Sequence, residues 1–309
     1  MNRTAILLMG PTASGKTEFA ISLCKRFPCD IISVDSALVY RGMSIGTAKP
    51  DREILERAPH RLIDIRDPES SYSAGDFVRD ARAAMEDIFA RGRIPLLVGG
   101  TMMYFRALTE GIADLPGADE TVRRAIDKKA AELGWPEVHA ELQRVDPEAA
   151  ERINPNDSQR IQRALEVYRV SGKKLTAWQE EARAPDVDIN YLKIALLIEP
   201  REFLHARIAV RLDEMVAAGF VDEVRGLRQR PGVTRDSPAM RAVGYRQFWN
   251  YLENDYSLEE ARNRALFATR QLAKRQFTWL RSETGVFSVN PLEADAIGTI
   301  SRYLAQQLG

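Results

Sequence analysis

The sequence predicts an α/β fold, a parallel sheet flanked by helices with an all-helical domain inserted into it. Three observations carry this. Short aliphatic runs alternate with helical periodicity through residues 4–98. A glycine-rich turn separates the first such run from the first helical pattern. Residues 116–184 then hold no strand pattern, and a strand returns only at residues 191–198.

Residues 4–9, Thr-Ala-Ile-Leu-Leu-Met, form a short buried strand pattern. The apolar side chains of Phe19, Ala20, Leu23 and Phe27 follow at helical spacing. Further strands are expected at residues 30–34, 62–65 and 94–98. Between the last two, Phe77, Ala81, Met85 and Ile88 recur as on one helix face, with Gly92 as the stop. From residue 116 the helical pattern is broken at Gly134-Trp-Pro136, Asp146-Pro147 and Asn154-Pro155. Pro200 closes the returning strand. Everything beyond it reads as helix: residues 201–218 up to Gly219, a helix after Ser237-Pro238, and a long one opening at Ser257. Ser257-Leu-Glu-Glu260 fits a capping box. The expected domains are residues 1–114 with 190–309 as the sheet core, and 115–189 as the insertion.

Composition bounds the function only loosely. A chain of 309 residues with 45% hydrophobic and 28% charged residues is long enough for two soluble domains. Its 44 basic residues balance 44 acidic ones, so net charge names no partner. No apolar run approaches a bilayer span, and no leader pattern precedes the first strand, which points to a cytoplasmic protein with no membrane partner. Cys24 and Cys29 flank a helix end, and with His60, His139 and His205 they make neither a disulfide nor a zinc pattern. No exposed heptad asks for a second copy, so a monomer is expected.

Gly10-Pro-Thr-Ala-Ser-Gly-Lys16-Thr17 fits G-x-x-x-x-G-K-[ST] between a strand and a helix, the context the pattern requires. This gives the expected core a P-loop NTPase-like character. The loop aims backbone N–H groups at a phosphate, Lys16 neutralises its charge, and the Thr17 hydroxyl ligates Mg²⁺. The motif alone is shared with ATP-binding proteins. Two neighbouring strand ends add chemistry at the same sheet edge. Asp35, after residues 31–34, suits a general base or a water-mediated metal contact. Gly99-Gly100-Thr101, after residues 94–98, brings backbone close to a ligand and a hydroxyl to a developing oxyanion. These residues place the chemistry at or beside a diphosphate. They leave open whether phosphoryl moves or pyrophosphate leaves.

Charge is uneven along the chain. Residues 261–281 carry Arg262, Arg264, Arg270, Lys274, Arg275 and Arg281 with no acid, interleaved with Phe267, Phe277 and Trp279. Arg270, Lys274, Phe277 and Arg281 fall on one helix face. Arg160, Arg163, Arg169, Lys173 and Lys174 make a second cluster. Both suit a phosphate backbone with bases to stack, and both equally suit solvated helix faces whose aromatics sit in the core.

Several motifs in order resemble the bacterial tRNA dimethylallyltransferase family, also called tRNA isopentenyltransferase. They are the glycine loop, Asp35-Ser-x-x-x-Tyr40, Gly46-Thr-Ala-Lys-Pro50, His60-Arg-Leu-Ile-Asp64 and Gly99-Gly-Thr-x-x-Tyr104. Asn154-Pro-Asn-Asp157, Gln159-Arg-Ile-Gln-Arg-Ala-Leu-Glu166 and Met240-Arg-Ala-Val-Gly-Tyr245 continue the series. Ser171-Gly172 departs from the more common Thr-Gly.

The resemblance implies transfer of a dimethylallyl group from dimethylallyl diphosphate to the N6 amine of the adenosine 3′-adjacent to the tRNA anticodon, releasing pyrophosphate. It implies that Gly10, Pro11, Thr12, Ala13, Ser14, Gly15, Lys16 and Thr17 hold the diphosphate, and that Asp35 is the base. Thr101 would contact the bridging oxygen; Lys16, Thr17 with Mg²⁺, and Arg211 would stabilise pyrophosphate. Contacts to the tRNA anticodon stem-loop would come from Asp35, Ser36, Ala37, Leu38, Thr101 and Arg123. Gln159, Arg160, Ile161, Gln162 and Arg163 of the insertion would add to them, with Arg270, Lys274, Arg275 and Arg281 of the basic helix. A nucleotide or small-molecule kinase, and a non-catalytic RNA-binding switch, are the competing readings of the glycine loop.

Overall fold

Six parallel strands organise the larger part of the chain in the computed structural model, which describes residues 3–181 and 188–309. The first half alternates β1 (Arg3–Met9), α1 (Lys16–Cys24), β2 (Cys29–Val34), α2 (Arg52–Arg57), β3 (His60–Arg61), α3 (Ala74–Ala90), β4 (Ile94–Gly99) and α4 (Met102–Glu110). Five helices follow: α5 (Glu120–Leu133), α6 (Trp135–Val145), α7 (Pro147–Arg152), α8 (Ser158–Ser171) and α9 (Leu175–Glu180). The chain then adds β5 (Ile189–Leu196), α10 (Arg201–Ala217), α11 (Phe220–Arg228), α12 (Tyr245–Leu252), α13 (Leu258–Ser282), β6 (Val286–Val289) and α14 (Ala296–Leu308).

The strand order is β3-β2-β4-β1-β5-β6. The central strand β1 is flanked by β4 and β5, with Ile6 opposite Leu96 and Leu192. Both faces of such a strand are covered, which is why residues 5–9 are continuously apolar and buried. One face packs on α1 and α14 through Ala20, Leu23, Ile300 and Leu304. Helix α3 begins with a complete Ser73–Asp76 capping box and buries Phe77, Ala81, Met85 and Ile88, the face its spacing predicts.

Three expectations need correction. The strand expected at residues 62–65 lies earlier, at His60–Arg61. Leu62 and Asp64 have φ of 63° and 54°, a left-handed backbone that ends strand pairing. The chain beyond Pro200 is not all helix, because Val286–Val289 pairs in parallel with β5 as an edge strand. Four residues are too few to show a period against two long helices. The Ser257 capping box is only half made. The Ser257 hydroxyl accepts from the Glu260 N–H, but the Glu260 carboxylate turns to Arg264 instead.

The chain divides into two compact units, Met1–Thr109 with Val187–Gly309, and Glu110–Asp186. The second unit opens at Glu110, ahead of the expected 115, and the expected helical limit at 184 lies outside the described residues. Its described residues form no strand, and its core joins Ile126, Val138, Leu142, Ile161, Leu165 and Val167. Buried Asp146 caps α7 through the Ala149 N–H and accepts from the Thr176 N–H and hydroxyl. No helix among the described residues is long and apolar enough to cross a membrane.

Candidate active site

The site begins where β1 ends. Residues 10–15 turn from strand to helix, with Ala13 and Gly15 at φ of 62° and 87°. Gly15 is the N-cap of α1 and gives it no side-chain cap. The first-turn N–H groups are therefore left for an anion, with the positive end of the helix dipole behind them. Lys16 folds back over the loop, its ammonium donating to the Pro11 carbonyl at 2.6 Å and lying 3.5 Å from the Ser14 hydroxyl. Burial of that ammonium lowers its pKa to about 7; Asp35 opposes the shift and Arg211 adds to it.

Two further strand ends meet this loop within the same unit. After β2, Asp35 accepts through Oδ1 from the N–H groups of Ala37 (2.8 Å) and Leu38 (3.3 Å), which fixes the carboxylate in its turn. After β4, the Thr101 hydroxyl accepts from the Ser36 N–H at 3.1 Å. Its own proton is thereby left to donate elsewhere. Gly99 is obligatory here, since a Cβ on it would stand 2.0 Å from the Val34 carbonyl oxygen. The β2 and β4 exits can approach this closely only without a side chain.

A residue that sequence reasoning passed over joins the parts. Gln276 of α13, 8% exposed, accepts from the Thr12 N–H at 2.9 Å and donates to the Gly100 carbonyl at 2.8 Å. One amide thus ties the glycine loop to the turn that carries Thr101. Phe277 and Ala273 seat the same helix against Ala13, Leu204 and Ile208, so α10 and α13 pack on the loop together. Helix α10 brings Arg211, whose pKa burial lowers while Asp35 opposes the shift. It also brings Arg207, with Nη2 3.6 Å from the Cβ position of Gly15. Arg207 was missed too; its only signal was a place one helical turn before Arg211. Lys16 and Arg211 both feel the Asp35 carboxylate, and Arg207 stands beside Arg211 over the loop, a cluster of cations that favours an anion.

Mg²⁺ takes hard oxygen donors and usually shares one or two protein ligands with substrate phosphates. The Thr17 hydroxyl in the first turn of α1 and the nearby Asp35 carboxylate are of that type. No group of three or more His, Cys, Asp or Glu able to hold a metal occurs among the described residues. The donor set therefore fits a cation carried in with a phosphate ligand.

The other motifs support this sheet edge. Lys49 donates to the Tyr40 carbonyl at 2.9 Å and to Asp64 at 2.5 Å, pinning the segment after Asp35. Glu223 accepts from the N–H groups of Ser44, Ile45 and Gly46 and from the Tyr245 hydroxyl. A Cβ on Gly46 would stand 2.0 Å from the Phe220 ring. These motif residues hold the backbone in place.

The expected RNA-facing residues divide. On α13, Lys274, Arg275 and Arg281 are exposed and Arg270 is partly so. Arg281 lies 3.5 Å from Glu199, whereas Arg270, Lys274 and Arg275 form no ion pair among the described residues. Arg262 and Arg264 are paired with Asp213 and Glu260. Phe277 is 2% exposed beneath the Arg201 guanidinium, so it belongs to the core and offers no stacking surface. In the helical unit, Ile161 is 0% exposed and cannot present its side chain to a polynucleotide. Arg123 and Arg163 both bind buried Glu166, while Gln162 donates to Asp127. Gln159 and Arg160 are exposed.

Comparison with known proteins identifies the family. Residues 38–283 match the IPP transferase family, and residues 3–71 match the isopentenyl transferase family. The full-length tRNA isopentenylpyrophosphate transferase of Bacillus halodurans is 36% identical over 100% of this chain and 97% of that one, with a TM-score of 0.71. The tRNA delta(2)-isopentenylpyrophosphate transferase of Staphylococcus epidermidis is 34% identical over 99% of each chain, with a TM-score of 0.69. A eukaryotic dimethylallyltransferase acting on tRNA is 26% identical over 98% of this chain and 77% of its own, with a TM-score of 0.80. With its family match spanning residues 38–283 and its likeness to the bacterial enzymes running end to end, the chain belongs to the IPP transferase family.

Proposed function

We propose that this enzyme moves a dimethylallyl group from dimethylallyl diphosphate to the N6 amine of the adenosine 3′-adjacent to the anticodon of tRNA, releasing pyrophosphate. The observation that carries the reading is one pairing at the sheet edge. The Asp35 turn and the Thr101 hydroxyl are joined through the Ser36 N–H at 3.1 Å, beside an uncapped helix N-terminus with its lysine. Diphosphate oxygens accept from the first-turn N–H groups of α1, with Lys16, Arg207 and Arg211 balancing their charge.

An adenine amine is a weak nucleophile because its lone pair is delocalised into the ring. Asp35, already fixed by two backbone N–H groups, takes one N6 proton as nitrogen attacks the allylic carbon. The carbon–oxygen bond breaks with its electron pair passing to the diphosphate. Thr101 keeps its proton and donates a hydrogen bond to the bridging oxygen, where that charge develops. The Thr17 hydroxyl would hold Mg²⁺ brought in with the diphosphate, and the ion would supply further charge neutralisation there. The adenosine leaves its stack to reach a carboxylate at a strand end, so the reading includes base extrusion. Arg270, Lys274, Arg275 and Arg281 supply phosphate contacts, and the Glu110–Asp186 unit contributes Gln159, Arg160 and Gln162. The same reading makes the chain a cytoplasmic monomer.

The test combines purified protein, Mg²⁺, labelled dimethylallyl diphosphate and unmodified tRNA, beside a tube with labelled ATP. Label mapping to the adenosine next to the anticodon is the expected result. Asp35→Asn should lower kcat by about 10²- to 10⁴-fold while diphosphate affinity stays within a few-fold. Phosphoryl transfer from ATP with unlabelled tRNA would replace this reading with a kinase.

A further inference from the structure

The sheet-containing unit carries a concavity on its C-terminal helices. It is a cavity of about 480 Å³ between α12 and the first half of α13, within the size range of small-ligand sites. Arg246, Gln247 and Asn250 line it from α12, Tyr256 from the connection, and Asn263 and Phe267 from α13. Gln247 uses its carbonyl oxygen to accept from the Gly244 N–H, so its amide hydrogens remain for the cavity. The Asn250 Oδ1 has no hydrogen-bond partner among the described residues but is itself buried, so it offers the cavity no acceptor.

Phe267 stands at the rim with 65% of its surface exposed, the most exposed large hydrophobic side chain among the described residues. From it the helix phase runs on to Arg270 at i+3 and Lys274 at i+7, the cations that carry no ion pair. Glu260, the one acid of the lining, is neutralised by Arg264 at 2.6 Å. An exposed ring, an amide with hydrogens to spare, and unpaired cations one and two turns along match the parts of one nucleotide. The ring stacks on a base, the amide meets a base edge, and the cations meet its flanking phosphates.

We infer that the α12–α13 cavity seats one unpaired nucleobase of the bound RNA, stacked on Phe267 and met at its edge by the Gln247 amide. This site is additional to the nucleotide that enters the catalytic edge, and the inference rests on the RNA-modifying reading above. The seat helps set affinity and register of the RNA and leaves the handling of diphosphate alone.

The experiment measures tRNA affinity at several salt concentrations for the wild-type protein and for Phe267→Ala, Phe267→Tyr and Lys274→Ala, with diphosphate affinity in parallel. Phe267→Ala should weaken tRNA binding about 5- to 100-fold, the effect of losing one base–aromatic stack. Its salt slope should match the wild type, because no counterion is involved, and Phe267→Tyr should restore affinity. Lys274→Ala should instead reduce the slope by about one. Phe267→Ala binding within about twofold of wild type would overturn the inference. So would a loss that Phe267→Tyr fails to rescue, since it would belong to packing. Wild-type protein that neither binds nor prenylates tRNA would remove the RNA reading itself, a result distinct from either.

Discussion

Replacing Gln276 with Met keeps the volume and flexibility of the side chain and deletes both hydrogen bonds of the loop clamp. The bond from the Thr12 N–H and the bond to the Gly100 carbonyl are each part-buried. At about 0.5–1.5 kcal/mol per bond, the variant should lose about 1–3 kcal/mol of stability, read as a lower urea midpoint at unchanged m. The larger effect should fall on the reaction. Without the clamp, the phosphate loop and the turn bearing Thr101 are fixed only by their own strands. A misplacement of about 1 Å between reacting groups costs on the order of 10²-fold. Gln276→Met should therefore lower kcat about 10- to 100-fold while KM for dimethylallyl diphosphate changes by a few-fold. Gln276→Glu should be worse, since it keeps the acceptor for Thr12 but sets a carboxylate against the Gly100 carbonyl. Steady-state kinetics at saturating tRNA, with calorimetric titration of the diphosphate, separates the terms. A Met variant with lowered stability and wild-type kcat would refute the positioning argument and leave Gln276 as packing.

Protonation of Lys16 gives a pH test. Its folded pKa of about 7 lies below its ordinary value of 10.5, so the unfolded chain binds more protons between these values. The burial cost is fully present below pH 7 and is relieved as pH rises through that window, so stability should climb with pH there more in the wild type than in Lys16→Met. Diphosphate favours the charged form, so its affinity should fall by up to about tenfold per pH unit above 7, with about one proton taken up on binding. Pyrophosphate affinity that is flat from pH 6.5 to 8.5 would contradict the burial of that ammonium. In the helical unit, burial raises the Glu166 pKa, but Arg163, the Asp119 N–H and Arg123 outweigh it and hold the carboxyl below 4.5. Glu166→Gln should cost about 2–3 kcal/mol, toward the lower end for a buried ion pair because side chains of both arginines are about one-third exposed. The wild-type advantage is present above pH 4.5 and is lost as pH falls through the folded value, and urea melts at pH 7 and 4 should show the gap narrowing.

The candidate site was legible where its residues follow a strand. The glycine loop, Asp35 and Gly99-Gly100-Thr101 each follow an apolar run, and strands of one parallel sheet deliver their carboxyl ends to one edge. Gln276 escaped notice because its partners Thr12 and Gly100 are 264 and 176 residues away. Nothing local marks an amide in a basic helix as a clamp. Phe277 and Ile161 show the opposite error. Counting residues on a helix puts them beside basic neighbours, but a face spans about 100°, and only packing decides which edge of it meets the core.

Sequence by itself determined what local chemistry determines: the strand and helix periods, the glycine loop, the base candidate, the order of motifs, and thereby the family. Tertiary structure decided which groups face one another. It set Arg207 over Gly15, joined Thr101 to Asp35 through the Ser36 amide, committed Arg123 and Arg163 to Glu166, and left Phe267 exposed at the α12–α13 cavity. The physical reason is range. Backbone propensity and hydrophobic period act over a few residues, whereas burial and hydrogen-bond satisfaction are settled between segments that only the folded chain brings together.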